Sequence, residues 1–226
     1  MVFTRRSRRW GRRMLRAPFK GAKYALRGAN KANAAYAAAA LALRNVRYIK
    51  GLVNSETFHQ DNTVSATAIT STGLIFPITS IGQGDGAGQR TGNSILLRNF
   101  MMRARLTRNA SSVTTVVRFM IIQDKQQISD TSPAISDVLQ SVSVDSPLNT
   151  SSLGRFKVLY NRTILLDANK PMWHKETYRK LYTHIRYNGN AGTDIQRGGL
   201  YCLFISDQPT NSPLLDFYLR TGYHDN

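Results

Sequence analysis

Residues 1–50 carry fourteen lysines and arginines and not one aspartate or glutamate. No other feature restricts folding as much, because an unrelieved block of like charge repels itself and cannot close around a core. A packed domain must therefore come from residues 51–226, where seventeen basic residues are set against thirteen acidic ones. Of the net charge of +18 on the 226-residue chain, +14 lies in the first fifty residues and +4 in the rest. That remainder is long enough to bury a substantial core. The longest apolar run, residues 34–43, falls well short of a membrane span. The single cysteine, Cys202, excludes an internal disulfide and a multi-cysteine zinc site.

The arm, residues 1–49, has two parts. Arg5, Arg6, Arg8, Arg9, Arg12 and Arg13 crowd into nine residues around Trp10. Such a tip is expected to be disordered when free, and its natural partner is a polyanion. Each arginine brings a permanent charge and a fork of donors that suits phosphate oxygens, and released counterions drive the association. Trp10 adds a ring able to stack on an unpaired base. Beyond Arg16 and Pro18 the chain turns to alanine, with eight between positions 32 and 42. Alanine's propensity predicts a helix, on which Lys20, Lys23, Arg27 and Lys31 share one face. These basic residues, from Arg5 to Lys31, are the candidates for nucleic-acid binding. A mitochondrial presequence or a twin-arginine export signal fits less well, because the arginines are too dense and lysines intervene before the apolar run. The same cluster suits a nuclear localisation signal.

The body reads as all-β. Over residues 96–107, Leu96, Phe100, Met102, Ala104 and Leu106 are apolar at even positions, with Arg98 the exception. The odd positions include Asn99, Arg103, Arg105 and Thr107, so the segment predicts a strand with one face in a core. Residues 114–122 are denser in apolar side chains, as for a central strand buried on both faces. Further strands are predicted over residues 51–59, 156–166, 176–187, 199–206 and 214–223. A short helix is predicted over 132–141, capped by Ser132 and opened by Pro133. Strands without alternating helices point to a sandwich, jelly roll or barrel.

No catalytic motif emerges. The glycine-rich run at residues 82–88 lacks dinucleotide-binding spacing, with Ala87 and Gln89 where glycines would be needed. A strand follows it rather than a phosphate-holding helix, so it reads as a turn. His59, His174, His184 and His224 are dispersed without metal-ligand spacing. Cys202 sits in an apolar segment, where a free thiol packs as a small hydrophobe.

Four blocks carry a resemblance. The first is Gly82-Gln83-Gly84-Asp85-Gly86-Ala87-Gly88-Gln89-Arg90-Thr91-Gly92-Asn93, running into the strand after it. The second is Val117-Arg118-Phe119-Met120-Ile121-Ile122-Gln123-Asp124, followed by Thr131-Ser132-Pro133 and a short helix. Arg155-Phe156-Lys157-Val158-Leu159 is the third, and residues 220–225, with Arg220, Tyr223 and Asp225, are the fourth. In this order and spacing, over about residues 50–226, the sequence resembles the single-jelly-roll capsid proteins of circovirus-like single-stranded DNA viruses and satellite necrosis viruses.

The resemblance implies an eight-stranded viral jelly roll of two four-stranded antiparallel sheets, with a basic, partly helical arm. It implies a subunit that assembles with copies of itself into a small icosahedral shell, T=1 with about sixty copies, around single-stranded viral DNA or RNA. Such a shell would bring roughly 840 positive charges, fourteen from residues 1–50 of each copy, to a genome it grips without reading its sequence. Residues 128–131, 149–152 and 188–193 would be surface loops that face outward or meet neighbours, and the protein would be a virion component with no membrane partner. The resemblance also implies structural calcium at subunit interfaces, held by Asp85 and Asp225 with the carbonyls of Thr91 and Ser94. Gly86 and Asn93 stand where those shells carry Asp, and Asp85 capping its own turn is the alternative. Arg103 and Arg105 fit an inner basic surface, solvation, or pairing across an interface. A competing function is a cellular nucleic-acid-binding β-barrel with a basic tail, though such modules carry their charge on the folded domain.

Overall fold

The structure, a computed structural model, describes residues 31–52, 56–128 and 131–225. The chain divides between Asn54 and Ser55, with a helix before the division and every strand after it. Helix α1, Lys31–Leu52, takes up the alanine-rich run. The part of the predicted helix before Lys31 lies outside the described residues. Gly51, predicted to open a strand, lies in the last turn of α1 instead, and the first strand starts only at Thr57. Among the described residues no helix is long and apolar enough to cross a membrane.

The strands are β1 (Thr57–Ala68), β2 (Leu74–Pro77), β3 (Ser94–Thr107), β4 (Thr115–Asp124), β5 (Phe156–Leu166), β6 (Met172–Tyr187), β7 (Ile195–Arg197), β8 (Leu200–Ser206) and β9 (Leu214–Asp225). They form two sheets, ordered β1-β9-β3-β6-β7 and β2-β8-β4-β5, and every pairing is antiparallel. The first strand lies beside the last and the second beside the eighth. The chain is thus a ribbon of paired strands rolled into two sheets, which is the jelly roll. The expected four-plus-four arrangement holds, with three-residue β7 added at one edge.

The two sheets meet through aromatic side chains. Phe119 of β4 stacks on Phe204 of β8, with centroids 4.5 Å apart and rings within 8° of parallel. Across the layer, Phe119 meets Trp173 of β6 at 6.2 Å and Phe204 meets Phe217 of β9 at 6.4 Å. Cys202 is fully buried in the same layer, its Sγ 3.9 Å from Met102 Sδ, and burial pushes the thiol's pKa up. It packs as a hydrophobe.

Strand β3 corrects the alternation read from sequence. Ile95 and Leu97 are buried in its first part, and Phe100, Met102, Ala104 and Leu106 in its second. The parity changes at a β-bulge between Leu97 and Asn99, where one extra residue on β3 faces β9. Arg98, the apparent exception, is that extra residue, and Leu96 lies on the outer face. Gly222 stands opposite the bulge, where a Cβ would come within 2.8 Å of Asn99 Oδ1.

β4 and β8 are buried on both faces, as the density of β4 predicts. The connection between β4 and β5 folds over them and buries Ile135, Val138, Leu139 and Val144. Within it the predicted helix is a single turn, α2 (Ile135–Val138). Asp137 takes the Ala134 N–H at 2.9 Å, so the turn is capped from within and Ser132 and Pro133 stay ahead of it. The connection is tied at both ends by the pair of Asp124, 0% exposed, and Arg155. Arg155 Nε lies 3.0 Å from each Asp124 carboxylate oxygen, and Nη2 lies 2.6 Å from Oδ2.

Two stability losses follow from this packing. Phe119→Ala removes the ring shared by both sheets and is expected to cost about 3–5 kcal/mol in urea unfolding. Arg155→Ala leaves the Asp124 carboxylate buried without a counter-charge, for an expected loss of about 3–5 kcal/mol. A loss under about 1 kcal/mol in either titration would contradict the corresponding assignment.

Candidate cation and nucleic-acid sites

The glycine-rich turn between β2 and β3 is built around a buried arginine. Arg90 is 0% exposed, and its guanidinium lies 4.0 Å from the centre of the Tyr187 ring. Its Nε donates to the Ile81 carbonyl at 3.0 Å, and Nη1 donates to the Gly92 carbonyl at 2.6 Å and Asn93 Oδ1 at 3.3 Å. Nη2 donates to the Gly189 carbonyl, which ties in the loop between β6 and β7. Burial pulls the Arg90 pKa down and pushes that of Tyr187 up. A fork of five donors thus closes a loop that would otherwise bury bare carbonyls.

The turn's tip is closed by Gln89, whose Oε1 accepts the Gly86 N–H at 2.8 Å. That is the capping role considered for Asp85, which is exposed at the tip. Tyr223 of β9 donates its hydroxyl to the Gln89 carbonyl at 2.7 Å, and burial pushes the phenol up to about 12. Two residues on, Asp225 Oδ2 accepts the Thr91 N–H at 2.6 Å. Asp225 Oδ1 is buried and has no hydrogen-bond partner among the described residues. The Thr91 carbonyl accepts from Gln83 Nε2 at 2.7 Å. The structure therefore brings Asp225 and Thr91 together. Among the described residues, no three His, Cys, Asp or Glu side chains cluster as a metal would need.

On the outer face of the five-stranded sheet, Arg103 and Arg105 are paired within the chain. Arg103 reaches Glu176 of β6 at 3.2 Å, and Arg105 reaches Asp216 of β9 at 2.7 Å. Arg220 of β9 binds Asp61 of β1 at 2.7 Å and holds that carboxylate down at about 2. All four histidines belong to strands of this sheet, although the sequence disperses them: His59 in β1, His174 and His184 in β6, and His224 in β9. His224 accepts from Arg98 Nη1 at 2.7 Å through Nε2 and donates from Nδ1 to the Glu56 carbonyl at 2.9 Å. Pairing register, which the sequence does not print, produces both arrangements. The arm candidates Arg5, Arg6, Arg8, Arg9, Arg12, Arg13, Arg16, Lys20, Lys23 and Arg27 lie outside the described residues, and Lys31 is the first residue of α1.

Known proteins resemble this chain in sequence over most of its length. The family model described as satellite tobacco necrosis virus coat protein matches residues 31–225. The coat protein of Maize white line mosaic satellite virus is 30% identical over 155 residues, which cover 65% of this chain and 71% of that protein. Among solved structures, that of Desmodium yellow mottle tymovirus covers 76% of this chain and 88% of its own, at 8% identity and a TM-score of 0.35. That of Maize chlorotic mottle virus covers 75% and 93%, at 9% identity and a TM-score of 0.35. Scores this low add nothing to the assignment, which rests on the match along almost the whole folded chain. The chain belongs to the satellite tobacco necrosis virus coat protein family.

Proposed function

We propose that the chain assembles into a T=1 icosahedral shell of about sixty copies and packages a single-stranded genome through its basic arm. One observation carries this reading: +14 of the charge sits in the first fifty residues and +4 in the body. Three of the body's exposed arginines are answered in place, Arg103 by Glu176, Arg105 by Asp216 and Arg220 by Asp61. Most of the net charge able to condense a polyanion therefore lies in the arm, whose grip is electrostatic and salt-dependent. Backbone phosphate is common to DNA and RNA, so the arm's chemistry suits either. With a DNA genome the same arginines would also serve nuclear import. A cellular binding barrel with a basic tail is disfavoured by the coat-protein family match.

Calcium at subunit interfaces is the second element of this reading. The buried, unclaimed Asp225 Oδ1 fits an oxygen-seeking cation. Asp85 and the carbonyls of Thr91 and Ser94 would complete this chain's share, and a neighbouring copy would supply the rest. The ion would contribute cross-linking between copies.

Deleting residues 1–30 is expected to abolish the high 260/280 nm absorbance ratio of purified particles while leaving the β-type circular dichroism of the body unchanged. Nucleic acid retained by the deleted protein would remove the arm from its role. Chelating calcium is expected to lower the melting midpoint of wild-type particles and to leave Asp225→Asn particles unaffected. Identical midpoints for wild-type particles with and without chelator would end the calcium assignment.

A further inference from the structure

Wherever an arginine of the five-stranded sheet forms a cross-strand ion pair, its register partner is a carboxylate. Arg103 faces Glu176, Arg105 faces Asp216 and Arg220 faces Asp61, with N–O distances of 3.2, 2.7 and 2.7 Å. Near the end of β6 the pattern inverts, and Arg186 has Arg197 of β7 as its partner. Directly opposed residues hold their Cβ atoms about 4.5–5.5 Å apart, and like charges at that separation destabilise the pairing. On the other side of Arg186, β3 presents Ser94, which brings no charge. Both arginines are exposed, and neither has an ion-pair partner among the described residues.

These two side chains open onto a cleft of about 820 Å³ whose wall also carries Lys125 and Arg155. Among the described residues, four cations line the cleft and no carboxylate does. Arg155 is already held by Asp124 at 2.6 Å. Lys125 Nζ uses one of its donors on the Gly154 carbonyl at 3.2 Å, which leaves two free. Gln196, the residue left unpaired between Ile195 and Arg197, adds an amide to the same wall.

We propose that this cleft is a phosphate-binding site, with Arg186 and Arg197 as opposed forks and Lys125 as the third cation. An oxyanion between the two guanidiniums turns a repulsive cross-strand pair into two charge-assisted attachments. Phosphate suits the arrangement better than a carboxylate does, because it has oxygens enough for both forks and the ammonium. The cleft is also larger than one phosphate ion requires, so it admits a phosphate carried on a nucleic-acid backbone as readily as a free one. The site belongs to the body and does not depend on the arm's role.

Thermal melts of the full chain in chloride and in inorganic phosphate, at matched ionic strength, test the proposal. Phosphate at tenfold its dissociation constant is expected to raise the wild-type midpoint by about 3–6 °C. Arg186→Gln/Arg197→Gln is expected to melt no lower than wild type in chloride and to ignore phosphate. Arg197→Glu, which supplies the carboxylate found opposite the sheet's other paired arginines, should behave in the same way and covers the case in which the double variant fails to fold. Repeating the melts with oligouridylate separates the two phosphate sources. A gain present in wild type and absent in the double variant assigns the site to backbone phosphate, and a gain from inorganic phosphate alone assigns it to the free ion. An equal phosphate gain in all three proteins would place the binding on the arm and overturn the proposal. No gain in wild type would overturn it too, as would variants altered only in particle assembly, which would make the cleft a contact between copies.

Discussion

Aromatic contacts between the two sheets run through the stack of Phe119 on Phe204. Both rings belong to the four-stranded sheet, so the facing strands must bring Trp173 and Phe217 to them. That demand fixes which face of β6 and β9 points inward, and through register it fixes every outward residue as well. Arg103 meets Glu176, and Asp61 meets Arg220, because the aromatic layer has already decided the parity of their strands. The bulge at Arg98 is the one place where β3 changes parity against β9, and Gly222 is the residue that makes room for it.

Two buried arginines, Arg90 and Arg118, and the half-buried Arg155 then hold the connections to this frame, each by a different solution to the same desolvation problem. Arg90 rests on the Tyr187 ring and spends its donors on carbonyls and an amide oxygen. Arg118, on the outer side of β4, donates to Asn161 Oδ1 at 3.0 Å and to the Val144 and Ser146 carbonyls in the covering segment. Burial lowers the pKa of both. Arg155 has a carboxylate, and there the Asp124 hydrogen bonds and charge outweigh burial and raise it. Lysine could not replace Arg90, since a point ammonium cannot reach the carbonyls of Ile81 and Gly92 and that of Gly189 on a separate loop at once.

Much of this was legible in the sequence where the signal is local. Period-2 alternation in residues 100–106 and the dense apolar run of β4 depend only on which faces are buried, and both appear in the structure as read. Four-residue β2 and three-residue β7 are too short to show a period, so neither was foreseen. The strand predicted from Gly51 starts later, at Thr57, because helix α1 extends to Leu52. Arg90 reads in sequence as one more surface cation in a polar turn, and only the meeting of two distant loops buries it. The histidines looked dispersed for the same reason, because their common sheet is a product of pairing and not of spacing.

Register also explains what the body's small net charge conceals. A charge of +4 over residues 51–226 could be an even scatter of opposite signs, but the fold sorts it. Three arginines on the outer sheet face are answered across the strand, and Arg186 and Arg197 are set against each other. Two opposed like charges at the edge of a sheet weaken it unless something negative joins them. The role proposed for the arm needs only the fourteen charges that residues 1–50 carry in sequence. The edge pair differs in kind, because the fold has fixed where its anion must sit.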